Sequence, residues 1–407
     1  MKKRMWKVIA LTAGAAMVMG MFAGCGSKEE AASDTAAASE SSTEEETAAA
    51  ETAETTEEAE PTETAEEDTA SEEADSAAAG DSEAIIKAAA ESGQVGNWGL
   101  GNEYEILALL AKYGLPTEYL SQDFTMDGFD DDSILLASAM TYNELGLVIN
   151  DYDGGYSYGD SVETIDMNDE GVAMMEDNIF CTKTFAEENP ETVAAFLYAS
   201  LKGWAYAVEN PEEAAEICYE YGSSVSPEHQ AYMADEVAKL VSTDTEGNTV
   251  TEIGYMDEDA MQQTLDIAKQ YVTLDDADAN ETFQNLTLDD IRDTSFYETA
   301  KASDGSFQPE KTSVSIQLKW LPDAQFMGYY VALDKGYYTD AGFENVEIIS
   351  GGGDIAETTA VNNGTVDFGV TWETNLASAD ASGMDLLEIA QIFQRSGLVL
   401  VYKPENF

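Results

Sequence analysis

Histidine and cysteine are all but missing from this sequence: 407 residues hold one histidine and three cysteines. That scarcity excludes His-rich and four-cysteine zinc sites and a disulfide scaffold. Basic residues are scarce as well. The chain has 18 Lys+Arg against 81 Asp+Glu, a formal net charge of -63, so it lacks the basic patches that recruit nucleic acid or an anionic membrane surface. What is present suffices for a core. The chain is 44% hydrophobic and 10% aromatic, and its length suggests two or three units.

The first 25 residues read as an address. Lys2, Lys3, Arg4 and Lys7 form a positive start, and an apolar stretch from Val8 to Phe22 follows. It is too short for a stable membrane span and runs into small residues. Phe22-Ala23-Gly24-Cys25 resembles a bacterial lipobox, with Phe22 where Leu is usual. The resemblance implies cleavage before Cys25, a lipidated thiol and a protein held at the extracytoplasmic face of the cell membrane; an ordinary secretory signal cut elsewhere is the alternative. Residues 26–83 hold 21 acidic residues, one basic residue (Lys28) and no aromatic. Such a tract cannot bury enough apolar surface to offset its conformational entropy. It reads as a disordered acidic tether with a random-coil reach of about 40 Å.

Beyond it, strands and helices alternate. Val314, Ile316, Leu318 and Trp320 alternate with polar residues as a half-buried strand does. A helical run from Ala324 to Leu333 follows, then a strand at Val346–Ile349, a Gly351–Gly353 loop, a strand through Val366, Phe368, Val370 and Trp372, a helix from Leu376 to Ala381, and an apolar run Leu398–Val401. Earlier in the chain, Val95–Trp98 and Ile134–Met140 read as strands, and Glu103–Tyr113 and Met261–Tyr271 as helices. Asn189-Pro190 and Asn210-Pro211 place Asn at an N-cap and Pro in the first turn. The Trp204 stripe of the first of these helices reads as core, and 274–312 as loops and a linker. The alternation predicts an α/β fold with parallel, doubly wound sheets and sites at the carboxyl ends of strands.

Several motifs resemble a known family. Gln317-Leu-Lys-Trp320-Leu-Pro-Asp-Ala-Gln325-Phe-Met-Gly-Tyr329-Tyr, Asp367-Phe-Gly-Val-Thr371-Trp372 and Ala390-Gln-Ile-Phe-Gln-Arg-Ser-Gly397 look like the amino-terminal half of substrate-binding proteins similar to thiamine-pyrimidine synthase and the alkanesulfonate receptor. Trp98-Gly-Leu-Gly-Asn102-Glu, Ser138-Ala-Met-Thr-Tyr142-Asn143-Glu144 and Glu187-Glu-Asn-Pro-Glu191 look like the carboxy-terminal half. The resemblance implies a two-lobed, periplasmic-binding-protein-like (type II) receptor for an ABC importer, in the branch that captures thiamine pyrimidine precursors. The two halves stand in exchanged order, 84–300 before 313–407, with 301–312 as a linker. Circular permutation explains this, because domain termini lie at the surface and near one another; a truncated tandem or a misread gene is the rival.

The candidate ligand residues are Trp320, Gln325, Tyr329, Thr371 and Trp372 from one half and Asn102, Tyr142, Asn143 and Glu144 from the other. Trp320 and Trp372 follow strands, and flat aromatic faces suit a planar heterocycle, at about 1–3 kcal/mol per stacked ring. An Asn amide and a Glu carboxylate can pair with the ring nitrogens and exocyclic amine of a 4-aminopyrimidine; helix capping is the bland alternative for both. Gly99, Gly101 and Asn102 open a helix whose free N–H groups offer a seat for an anionic or carbonyl group. Gly96-x-x-Gly99-x-Gly101 is no nucleotide loop.

An enzyme is not expected. His229 reads as a solvated helix residue with no nucleophile beside it, and Cys181 and Cys218 as buried singles, a disulfide between them being left open. Eukaryotic pyrimidine synthases of this fold use a Lys and a His where this chain has Thr371 and Asn375. Asp276, Asp278 and Asn280 start like a calcium loop that fails at Glu281 and Thr287. No metal or cofactor is expected. The sequence thus predicts a monomeric lipoprotein that binds a hydroxymethylpyrimidine or formylaminopyrimidine and hands it to a permease. The alternatives are a receptor for riboflavin or an organic sulfonate, against which the two arginines of the folded part (Arg292, Arg395) argue in the sulfonate case, and an acidic adhesion or scaffold lipoprotein.

Overall fold

The computed structural model describes residues 75–222, 225–353 and 355–407. The signal-like segment, Cys25 and most of the acidic tract lie outside the described residues. Helix Asp75–Ser92 reaches back into that tract, and Ile86 and Ala89 fasten it by full burial.

Among the described residues, ten strands form two five-stranded sheets. The first contains β1 (Val95–Asn97), β2 (Leu120–Ser121), β3 (Leu136–Met140), β4 (Glu163–Asp166) and β10 (Leu398–Tyr402), in the order β2-β1-β3-β10-β4. The second contains β5 (Asn178–Thr182), β6 (Ser313–Gln317), β7 (Asn345–Ile349), β8 (Phe368–Thr371) and β9 (Leu386–Gln391), in the order β7-β6-β8-β5-β9. Both sheets are mixed, where parallel ones were expected. β1 runs parallel to β2 and β3, and β6 parallel to β7 and β8. β10 runs antiparallel to β3 and β4, and β5 antiparallel to β8 and β9. The antiparallel strands are the ones that arrive from the other sheet: the chain passes from β4 to β5 through 167–177 and from β9 to β10 through 392–397. A strand entering without a helical crossover comes in against its neighbours' direction.

These two connections make one zipped hinge. Asn168 Nδ2 donates to the Ser396 carbonyl (2.9 Å), and Ser396 N–H donates back to Asn168 Oδ1 (3.1 Å). Gly397 N–H reaches Glu176 Oε2 at 3.1 Å. Each sheet therefore takes strands from both sequence blocks.

Helix packing follows the apolar stripes. Trp204, 1% exposed, is core as expected, on helix Pro190–Glu209. That helix crosses helix Met327–Asp334 so closely that a Cβ on Gly203 would sit 2.2 Å from the Gly328 carbonyl oxygen. Asn189 and Asn210 occupy the N-cap positions, but their amides turn back to the Phe185 and Tyr206 carbonyls at 3.1 and 2.9 Å.

The stretch 274–312 corrects the expectation of loops. Helices run over Ala277–Asn285, Leu288–Ile291 and Thr294–Ala302. Asp276 and Asp293 cap the outer two through the backbone N–H groups of Ala279 and Ser295, and the Asp290 carboxylate accepts from the Thr287 N–H. Only a few anchors, Phe283, Leu286, Leu288, Ile291, Tyr297 and Ala300, are buried, so the polar composition concealed them. Residues 303–312 do link the blocks, yet they are pinned: the Glu310 carboxylate accepts from the Thr192 N–H (2.7 Å) and Phe307 packs on Tyr198.

Candidate functional site

A cavity of about 250 Å³ opens between the carboxyl ends of the parallel strands of both sheets. β1 delivers Trp98 and Leu100, β3 delivers Met140 and Tyr142–Glu144, β6 delivers Lys319 and Trp320, and β8 delivers Trp372. Gln325, Phe124, Gly352 and Gly353, Ile355, Ala356, Glu357, Thr358 and Asn375 complete the described lining. Strand ends gather here because a doubly wound sheet leaves its crevice outside the carboxyl ends.

The cleft is closed over this space. Phe124 of one lobe meets Trp320 of the other, with ring centroids 5.1 Å apart and planes at 56°. Asn375 Nδ2 donates to the Leu100 carbonyl at 3.4 Å. Gly101 has φ +117°, and a Cβ there would lie 2.2 Å from Asn375 Oδ1. Glycine is required at that contact on both counts.

Six of the nine expected ligand residues line the cavity: Trp320, Gln325, Trp372, Tyr142, Asn143 and Glu144. Three do not. Asn102 is buried, its amide 3.7 Å from Met140 Sδ and receiving from Asn97 Nδ2 at 3.4 Å. Tyr329 packs edge-on against Trp204 in the core, 5.5 Å between ring centroids. Thr371 is fully buried, because successive strand residues face opposite ways, and it donates from Oγ1 to Glu357 Oε1 at 2.6 Å. The N–H groups expected to seat a ligand at Gly99 and Gly101 are engaged by Asn97 Oδ1 and Glu103 Oε2, each at 2.7 Å.

The polar wall is built from short range. Glu144 Oε2 accepts from the Met140 N–H at 3.0 Å and Oε1 from Asn143 Nδ2 at 3.0 Å. Burial raises the Glu144 carboxyl above its ordinary range. The expectation for His229 was wrong. It is 1% exposed, with Nε2 2.9 Å from Asn143 Oδ1, and burial lowers its pKa to about 4. An outward-facing helix position was inferred from charged neighbours, but helix Pro227–Ser242 turns this position onto helix Glu144–Ile149.

Opposite lies a charged wall that strand alternation did not mark. Lys319 Nζ stands 3.3 Å from Glu357 Oε1 and 4.6 Å above the centre of the Trp372 ring. Beneath the cavity, Asp177 Oδ1 accepts from Trp372 Nε1 (3.0 Å) and Oδ2 from Gln325 Nε2 (2.8 Å). Asp177 belongs to the hinge, is 2% exposed and holds φ +49°. Burial pushes its carboxyl up to about 7, and that of neighbouring Asp323 to about 8. Cys181 and Cys218 are free and buried, and neither is among the described lining residues. Among the described residues, no cluster of three or more His, Cys, Asp or Glu could hold a metal ion, and no helix is long and apolar enough to cross a membrane.

The family model described as NMT1/THI5 like matches residues 91–214 and 323–406. The chain belongs to this family. No curated protein matches it. Members of the NMT1/THI5-like family of this kind are extracytoplasmic substrate-binding proteins of ABC transporters, so this protein takes a small molecule and serves a permease. The two matched segments contribute all the strands that end at the cavity except β6, and the cavity lies where they meet.

Proposed function

We propose that the ligand is a small aminated heterocycle, of the thiamine pyrimidine-precursor type, and that the protein delivers it unaltered to its permease. The observation that carries the reading is the cavity itself. Trp98, Trp320, Trp372 and Tyr142 supply aromatic walls, and Asn143 with Glu144 supplies a donor beside an acceptor. Its volume, about 250 Å³, falls below the roughly 300–1,000 Å³ of pockets for drug-sized ligands. A sulfonate fits less well. Arg395 is engaged by Asp166 at 2.9 Å, Arg292 lies 3.6 Å from Glu258, and Lys319, the one cation among the described lining residues, already faces Glu357.

On this reading Cys25 anchors a monomer at the outer face of the membrane through the acidic tether. The exchanged order of the blocks reflects a circular permutation. Its support is local: Gln94 Nε2 donates to the Asp132 carbonyl (3.0 Å), while Lys403 and Asn406 hold the Asp132 carboxylate at 2.9 and 3.0 Å. The segments on either side of the break in family order thus adjoin.

The test is the melting temperature of the purified protein against pyrimidine precursors, riboflavin and sulfonates. A rise with the pyrimidines alone is expected. Glu144→Gln and Trp372→Ala should each weaken that ligand by roughly 1–3 kcal/mol. Unchanged calorimetric affinity in both variants removes this site.

A further inference from the structure

The single histidine stands behind the ligand wall with both ring nitrogens engaged. His229 Nε2 lies 2.9 Å from Asn143 Oδ1, and Nδ1 is hydrogen-bonded to the Tyr152 hydroxyl. The imidazole lies nearly parallel to Tyr232, with 10° between planes and 6.1 Å between centroids. Tyr232 is itself tied by its hydroxyl to the Thr141 carbonyl at 2.7 Å. The ring is therefore held at both nitrogens, with Tyr232 nearly parallel beside it.

The direction of donation along this chain follows from its carboxylate end. Glu144 accepts from two N–H groups, the Met140 backbone and Asn143 Nδ2. A carboxylate only accepts, so the Asn143 amide must turn its NH2 toward Glu144 and its oxygen toward His229. A neutral imidazole has one N–H, which must then sit on Nε2, leaving Nδ1 to accept from the Tyr152 O–H. Every member's polarity is set by its neighbour.

We propose that His229 is a positioning residue for ligand selection: its Nε2–H pins the Asn143 amide with the NH2 group toward Glu144 and the cavity. The wall then presents an N–H donor beside a carboxylate acceptor, and it selects a ligand edge that carries an acceptor beside a donor, as in an amidine or an aminated ring nitrogen. Without the histidine N–H, the Glu144 carboxylate alone orients the Asn143 amide, and its NH2 group is held less firmly toward the cavity. This inference rests on the reading that Asn143 and Glu144 face the ligand.

Two measurements test it. The first needs no ligand, because one histidine gives an unambiguous imidazole 15N spectrum. The Nε2–H tautomer is expected, neutral down to about pH 5, below the ordinary histidine pKa of about 6.5. An Nδ1–H tautomer, or titration near the ordinary value, overturns the proposal. The second compares a 4-aminopyrimidine with its analogue bearing C–H in place of the ring nitrogen beside the amine. The unmodified protein should prefer the pyrimidine by about 10- to 100-fold, since the analogue leaves the Asn143 donor unpaired. In His229→Leu the preference should shrink to about threefold or less, whatever happens to overall affinity. A preference retained in full means that His229 is merely structural. Should His229→Leu fail to fold, Tyr152→Phe serves: it removes the donor to Nδ1, and mixed tautomers with a reduced preference are expected. If neither compound binds the unmodified protein, the pyrimidine reading falls, and the 15N spectrum alone decides the polarity of the chain.

Discussion

Asp177 stands in the connection between β4 and β5, where no strand or helix signal in the sequence marks it. Its two oxygens accept from Trp372 Nε1 at 3.0 Å and Gln325 Nε2 at 2.8 Å. It therefore holds two cavity walls from below. Deleting the side chain orphans both donors, at about 1–3 kcal/mol each. Glycine is the right deletion, since alanine would add strain at φ +49°. Asp177→Gly should thus lose roughly 2–6 kcal/mol of stability. Asp177→Asn should behave otherwise. Asparagine tolerates the left-handed region, its oxygen can keep the Trp372 bond, and Gln325 can turn its amide to accept from the new NH2. The pH dependence separates the two effects. Burial raises Asp177 from 3.8 to about 7, so the folded state binds a proton that the unfolded state has released. Stability from this group is full below about pH 4 and declines as pH rises to about 7. Between pH 5 and 8.5 the unmodified protein should lose about 3 kcal/mol relative to Asp177→Asn, at 1.36 kcal/mol per pH unit over two of those units. Urea unfolding at both pH values measures this. Equal losses in the Gly and Asn variants, or a difference that does not move with pH, would refute the clamp.

Other expectations follow from the same structure. Lys319 and Glu357 are 11% and 8% exposed. Lys319→Met should therefore cost about 3–5 kcal/mol by stranding Glu357, and adding Glu357→Gln should recover much of it in the same unfolding assay. Gly203→Ala forces a Cβ to within 2.2 Å of the Gly328 carbonyl and 2.6 Å of Ala332 Cβ; overpacking of about 1–3 kcal/mol or more should appear as a lowered Tm. Burial also raises Glu105, Asp323 and Glu388, so Tm should fall as pH rises from about 5 to 8. His229, lowered to about 4, acts oppositely below its unfolded value of about 6.5, which places the maximum in mildly acidic buffer. A Tm that climbs steadily to pH 8 would contradict both burials.

Strand existence was legible where one face alternates, as in β6 and β8, and in the apolar runs of β3 and β10. β9 was not legible, because Leu386–Gln391 is buried on both faces and shows no period. Nor was β5, Asn178–Thr182, which mixes Asn and Thr into a short run. Trp320, Trp372 and Tyr142–Glu144 were found because each follows a strand, and strand ends meet in this architecture. Lys319, one residue before Trp320, was passed over since alternation places it beside the strand's exposed positions; the turn at Leu318–Trp320 brings it over the Trp372 ring instead.

Local pattern by itself determined many of the strands and helices, that 84–407 makes an α/β fold, and that the aromatic and polar residues lining the cavity stand at strand ends. Those properties depend on a residue's near neighbours and their spacing. Only the tertiary structure decided that β5 and β10 run against their sheets, that His229 is buried behind Asn143, and that Asp177 of the hinge holds Trp372 and Gln325 from another segment. Each of these depends on groups 86 to 195 positions apart in the chain, or on the direction in which a strand arrives from the other lobe. Spacing along a sequence carries no record of either.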